Sequence, residues 1–155
     1  MSTGVVIAIV AVVLALGFGL YRARTDGRFR AAAAPAAGSV PSGAEEGAVD
    51  ARTWDDVLAA LPDARLGERA TLLQFSSAFC APCRATRQVL SEVADVVPGV
   101  VHLEVDAEHH LELVRRLDVL RTPTTLILDA SGREATRAAG APRKETVLAT
   151  LDGIV

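Results

Sequence analysis

The chain has 155 residues, with 16 basic and 19 acidic side chains and a formal net charge of −3. A weakly acidic chain with 4% aromatic residues lacks the basic, aromatic surface that nucleic acids require, so we exclude nucleic-acid binding. Two cysteines are also too few for the disulfide framework of a small secreted scaffold.

The first 21 residues contain no charged side chain, and residues 4–20 read GVVIAIVAVVLALGFGL. About 20 apolar residues in a helix cross the hydrocarbon core of a bilayer, so we predict a transmembrane helix over residues 1–21. A cleaved signal peptide is the alternative. It requires a basic n-region and a shorter apolar core, but no Lys or Arg precedes this run.

Four arginines follow the apolar run, namely Arg22, Arg24, Arg28 and Arg30. Basic residues beside a membrane span tend to stay on the cytoplasmic side. We therefore predict a single-pass membrane protein whose N-terminus is outside and whose remaining chain is cytoplasmic.

The next segment is poor in large apolar residues. Residues 31–51 consist mainly of Ala, Pro, Gly and Ser with a few acidic residues, a composition that does not bury a core. We predict a flexible juxtamembrane linker over residues 22–51, followed by one globular domain over residues 52–155.

Helical and strand patterns alternate in that domain. The predicted elements are a helix at 53–61, a strand at 70–75, a helix at 82–97, a strand at 100–105, a helix at 109–117, strands at 124–128 and 133–139, and a final helix that Pro142 opens. Strands that alternate with helices predict parallel pairs, and the last hairpin adds an antiparallel strand. The predicted fold class is therefore α/β, a mixed sheet flanked by helices.

The two cysteines form the unit Cys80-Ala-Pro-Cys83, which follows a predicted strand and opens a predicted helix. A helix N-terminus stabilises an anion, so a thiol placed there has a lowered pKa. Cys80, at the helix entry, is the predicted attacking thiol. Cys83 lies about one turn later and is placed to close or resolve a disulfide. Pro82 suits the first turn, where its missing N–H is not needed.

These features resemble the thioredoxin family over residues 52–155. Cys80-Ala-Pro-Cys83 matches the family's active-site motif, Thr122-Pro123 matches its cis-proline element, and Gly140 matches a glycine on its substrate surface. The resemblance implies a thioredoxin-like fold and a thiol–disulfide oxidoreductase with catalytic Cys80 and Cys83. The substrate-binding residues are then Phe79, Ala81, Pro82, Thr122, Pro123 and Gly140.

The same resemblance implies the partners. We expect protein disulfides or dithiols as substrates, a reductase or a membrane thiol relay as electron partner, and neither a metal nor an organic cofactor.

Several positions depart from the family pattern. The buried acid of the family is Gln74 here, and its lysine on the neighbouring strand is His102. The aromatic residue after that acid is Ser76, the tryptophan before the first cysteine is Phe79, and the glycine between the cysteines is Ala81. Because Gln does not titrate, proton transfer would need water or another group.

Two other readings of the cysteine pair stay open. In the first alternative, the two cysteines supply half of a structural zinc site, but such a site normally takes four ligands. His109 and His110 are adjacent and would point about 100° apart on a helix, which makes them poor partners in such a site. A redox-inactive interaction module with the same fold is the second alternative.

Overall fold

The structure is a computed structural model, and it describes residues 3–31 and 52–154. The helices are α1 (Thr3–Thr25), α2 (Arg52–Ala60), α3 (Ala81–Val96), α4 (Leu111–Arg116) and α5 (Lys144–Asp152). The strands are β1 (Arg30–Ala31), β2 (Ala70–Ser76), β3 (Val100–Asp106), β4 (Thr124–Asp129) and β5 (Glu134–Ala139). The strands form one sheet in the order β1-β5-β4-β2-β3, so the predicted mixed sheet flanked by helices is confirmed.

The direction of β4 differs from our expectation. β2 and β3 are parallel, but β4 runs antiparallel to β2 although a helix lies between β3 and β4. The six residues of α4 extend about 9 Å, much less than the roughly 20 Å of a six-residue strand. The connection therefore does not return the chain to the far end of the sheet, and Thr124 begins β4 beside Phe75 at the end of β2.

The core lies on both faces of the sheet because successive side chains of a strand point to opposite faces. Leu73 and Phe75 of β2 pack in one cluster with residues of α2 and α4, and Trp54 packs against this cluster. Leu72 packs in the other cluster with residues of α3 and α5. The central strand is thus buried on both sides, which fixes the position of the chain that follows it.

The apolar part of helix α1 is exposed in the described part of the chain. Its residues Thr3–Tyr21 form a 19-residue stretch with a mean hydropathy of 2.7 and no buried share. This stretch is long and apolar enough to cross a membrane, a property that N-terminal signal sequences share.

The chain after this stretch differs from the predicted linker of residues 22–51. The helix continues to Thr25, because Gly27 is the first residue after Tyr21 that favours a break. Strand β1 then pairs antiparallel with β5, and Thr136 Oγ1 donates a hydrogen bond to the carbonyl of Arg30 at 2.6 Å. Phe29 packs against the second core cluster. Residues 32–51 of the predicted linker lie outside the described residues.

Candidate active site

The cysteine pair lies where α3 begins. Cys80 is the N-cap residue and is joined to Cys83 by a disulfide with an Sγ–Sγ distance of 2.01 Å. The backbone N–H of Cys83 points at Cys80 Sγ, 3.2 Å away, so negative charge on that sulfur is stabilised. Cys80 is half-buried, whereas Cys83 is only 2% exposed. An incoming group therefore reaches Cys80 first.

A groove lies on one side of this disulfide. The Thr122–Pro123 peptide bond is cis, and Thr122 Oγ1 lies 3.1 Å from Ser77 Oγ in the loop before the cysteines. Gly140 N–H donates to the carbonyl of Pro123 at 2.8 Å. Pro82, Thr122, Pro123 and Gly140 all line this groove, whose volume is about 940 Å³. The structure thus brings four of the six predicted substrate-binding residues together.

The other two predicted substrate-binding residues lie outside the groove. Phe79 is fully exposed and Ala81 is exposed, on either side of Cys80 in the sequence. A phenyl ring held in solvent directly before a reactive sulfur offers apolar contact to any chain that approaches it.

Comparison with known proteins identifies this arrangement. The family model described as Thioredoxin matches residues 48–153. The chain belongs to the thioredoxin family. A thioredoxin H-type of Oryza sativa subsp. indica is 33% identical over 109 residues, covering 70% of this chain and 88% of that protein. Thioredoxin H2-1 of Oryza sativa subsp. japonica is 30% identical over 112 residues, covering 68% and 78%.

Solved structures show the same fold. Fasciola hepatica thioredoxin aligns with a TM-score of 0.51 at 24% identity, covering 57% of this chain and 84% of that one. A thioredoxin mutant from Halobacterium salinarum NRC-1 aligns with a TM-score of 0.53 at 16% identity, covering 56% and 75%. With the adjacent cysteine pair, membership of this family makes the protein a thiol–disulfide oxidoreductase.

Gln74 is the main departure from the thioredoxin pattern, and both the nitrogen and the oxygen of its amide have hydrogen-bond partners. Its Nε2 donates to Ser76 Oγ at 2.7 Å and to the carbonyl of Cys83 at 3.0 Å. Its Oε1 lies 3.1 Å from Nε2 of His102. Because Gln74 is completely buried, each of these contacts replaces a lost contact with water. A carboxylate at this position would have no hydrogen to donate to Ser76 or Cys83.

His102 is part of the same network. Gln74 Oε1 only accepts hydrogen bonds, so His102 Nε2 carries a proton and Nδ1 faces Ser91 Oγ at 3.1 Å. Burial is the largest influence on His102 and lowers its pKa, an effect that the nearby charge of Glu104 opposes. The ring is therefore a neutral imidazole near neutral pH, and the side chain is half-buried on the edge strand β3.

Glu104 is the titratable group that sequence reasoning missed at this site. It lines a second cavity of about 330 Å³ together with Ser76, Cys80 and Cys83. Ser76 Oγ donates to its Oε1 at 2.6 Å, and Arg87 forms a two-point ion pair with both carboxylate oxygens. Burial acts to raise the pKa of Glu104, but the hydrogen bonds from Arg87 and Ser76 outweigh it and hold this pKa below its usual value.

Only the register of β2 and β3 could have indicated that Glu104 belongs to this site. In the parallel pair, Gln74 lies opposite Glu104 and Leu72 lies opposite His102. Only the alignment of the two strands, which local patterns leave open, places these three polar side chains side by side.

Proposed function

We propose that this protein is a membrane-tethered thiol–disulfide oxidoreductase that exchanges disulfides with protein substrates through Cys80-Ala-Pro-Cys83. One observation carries the proposal: an accessible sulfur at a helix N-terminus is paired with a buried one, beside a groove lined by Pro82 and Pro123. This is the arrangement needed for an attacking thiolate and a resolving thiol.

In the proposed reduction of a substrate, the thiolate of Cys80 attacks one sulfur of the substrate disulfide. A mixed disulfide forms, and one substrate thiolate leaves. Cys83, deprotonated, then attacks Cys80 Sγ, so the Cys80–Cys83 disulfide forms and the second substrate thiolate leaves. The substrate gains two electrons and the protein loses two. A reductase or a membrane thiol relay returns them to Cys80 and Cys83.

The groove supports the proposed role in holding the substrate chain. Thr122 precedes the cis-proline, and its backbone N–H and carbonyl form no hydrogen bond within the described part of the chain. An extended polypeptide pairs with such free backbone groups as an added strand does. Phe79 and Ala81 would contact that chain on the other side of Cys80.

The apolar helix and the arginines after it support the proposed location. Thr3–Tyr21 would cross the membrane once, and Arg22, Arg24, Arg28 and Arg30 favour a cytoplasmic thioredoxin domain. A membrane-impermeant maleimide added to intact, reduced cells should leave Cys80 unlabelled and should label it after the membrane is permeabilised. Labelling in intact cells would place the domain outside.

Activity is tested with the full-length protein in detergent micelles, using insulin as the disulfide substrate and a chemical dithiol as reductant. The wild-type chain should accelerate insulin reduction, and Cys80→Ser should abolish this effect. Cys83→Ser should instead accumulate a mixed disulfide between Cys80 and the substrate, visible by non-reducing electrophoresis. No acceleration by the wild type and no adduct would instead indicate a redox-inactive interaction module.

A further inference from the structure

One wall of the groove beside the disulfide comes from outside the matched family region. Asp26, Gly27 and Arg28 line the groove together with Pro82 and Pro123. The match to the thioredoxin family model begins at residue 48, so this wall lies outside the residues that match the family.

The wall is fixed to the sheet by close backbone contacts. Gly27 N–H donates to the carbonyl of Ala139 at 2.9 Å. A Cβ on Gly27 would lie 2.2 Å from the carbonyl oxygen of Ala141, and φ of Gly27 is +73°, so only glycine allows this approach. On the other side of the contact, a Cβ on Gly140 would lie 3.1 Å from both Asp26 Cβ and Gly27 N. Arg28 is therefore presented at the groove from a defined position.

The groove is strongly basic. Three exposed arginines from three separate segments line it, Arg28, Arg121 and Arg143, against the single carboxylate of Asp26. Asp26 accepts a hydrogen bond from Arg121 Nη2 at 2.9 Å. Within the described residues, the guanidinium groups of Arg28 and Arg143 have neither a carboxylate nor a hydrogen-bond partner. Two guanidinium groups thus remain available for a ligand.

We propose that this groove binds acidic polypeptide segments that flank the disulfide of the substrate. The proposal rests on the proposed oxidoreductase function, because Pro82, which lies between the two cysteines in the sequence, lines the groove. Guanidinium groups bind carboxylates through paired, charge-assisted hydrogen bonds. The groove adjoins Pro82 and Pro123 beside the disulfide, so its natural occupant is a polypeptide that carries a disulfide. A lipid headgroup carries none.

Two synthetic peptides test the proposal. They share one internal disulfide, which is flanked by four Asp and Glu residues in one peptide and by four Lys residues in the other. The reduced full-length protein, in nanodiscs of neutral phosphatidylcholine, is mixed with each peptide, and peptide reduction is followed by acid quenching and mass spectrometry. At low ionic strength we expect the acidic peptide to react about tenfold faster, and the difference to shrink in high salt.

The double variant Arg28→Gln/Arg143→Gln should reduce that preference to about twofold or less. The matched control Arg65→Gln/Arg115→Gln changes the net charge equally, outside the groove, and should keep the preference. Equal rates for both peptides with the wild type, or a preference that survives in the groove variant, would overturn the proposal. If neither peptide is reduced, the oxidoreductase function itself fails instead.

A lipid occupant gives a different result. The experiment is repeated in nanodiscs that contain anionic phosphatidylglycerol, and the rates of the wild type and the groove variant with the acidic peptide are compared. An advantage of the wild type that persists supports a polypeptide ligand. Rates that become equal only in the anionic discs would assign the groove to headgroups and contradict the proposal.

Discussion

Gln74 connects the redox pair to a titratable residue, because its amide joins the carbonyl of Cys83 to the ring of His102. The neutral ring suits this contact: its Nε2–H donates to Gln74 while Nδ1 stays free to accept from Ser91. Protonation of Nδ1 would turn that acceptor into a donor and bury a positive charge. The stability of the fold is therefore linked to the charge state of His102.

The sign of this pH dependence follows from the lowered pKa of His102. In the unfolded chain the imidazole protonates as the pH falls below about 6.5, whereas the folded ring stays neutral to a lower pH. The free energy of unfolding should therefore keep its full contribution from His102 above this value and decrease as the pH falls toward the folded pKa. His102→Gln, which cannot protonate, should flatten the loss between pH 8 and pH 5.5 in urea unfolding curves.

His109 provides the matched control for this experiment. It is mostly exposed and lies 2.9 Å from Asp106 at the protein surface. His109→Gln should leave the decrease in stability below about pH 6.5 in place. A decrease of equal size in the wild type and the His102→Gln variant would show that His102 does not carry it.

Residue-level features were predictable where the signal is local. Cys80, Pro82 and Cys83 lie within one turn, and Thr122-Pro123 is a dipeptide, so sequence alone identified them. The network of Gln74, His102 and Glu104 depends on strand register, so its contacts could not be predicted from the sequence. Asp26 and Gly27 could not be predicted either, because nothing near them in the sequence indicates that they lie against Gly140.

Helix α3 supports the cysteines through its buried face. Leu90 is completely buried in the cluster shared by α3, α5 and the sheet. Leu90→Ala should lower the free energy of unfolding by about 2–5 kcal/mol, since it removes buried methyl groups and leaves a cavity. Thermal or urea unfolding measures this loss. Leu120→Ala, at a side chain that is 87% exposed, should change stability by less than about 0.5 kcal/mol, and equal losses would contradict the burial of Leu90.

Strand β1 has only two residues and depends on the contact around Gly27. Gly27→Ala places a methyl group against the carbonyl of Ala141 in an unfavourable backbone region, so we expect the segment to detach from β5. Hydrogen exchange by mass spectrometry should then show faster exchange in β5 and in residues 26–31, while β2 and β3 stay protected. Gly19→Ala, where an added Cβ meets nothing within 4 Å, should change none of these rates.

Element positions were predictable to within a few residues because apolar periodicity is a local property. Strand direction was harder: the parallel orientation expected for β4 failed because α4 is too short to cross the sheet. Strand β1 carried no apolar alternation that could reveal it. It is held by contacts with residues more than one hundred positions away, such as Thr136.

At the scale of the whole molecule, these contacts change how the apolar helix and the thioredoxin domain are connected. The sequence predicted residues 22–51 as the tether between them. In the structure, Gly27 lies two residues after the end of α1, and its backbone N–H already donates a hydrogen bond to the carbonyl of Ala139. The groove that contains Arg28 therefore lies next to the end of the helix. If α1 spans a membrane, the redox site faces clients close to the bilayer surface.

This arrangement predicts the result of cutting the chain after β1. A specific protease site inserted between residues 41 and 42 would separate residues 1–41 from the remainder without breaking the β1–β5 contact. We expect the cleaved 42–155 portion to stay with lipid vesicles during flotation, held by the hydrogen bonds of Gly27 and Arg30 and by the packing of Phe29. The same cut in the Gly27→Ala variant should release it. Release from the wild-type chain as well would mean that residues 32–51 are the only effective tether.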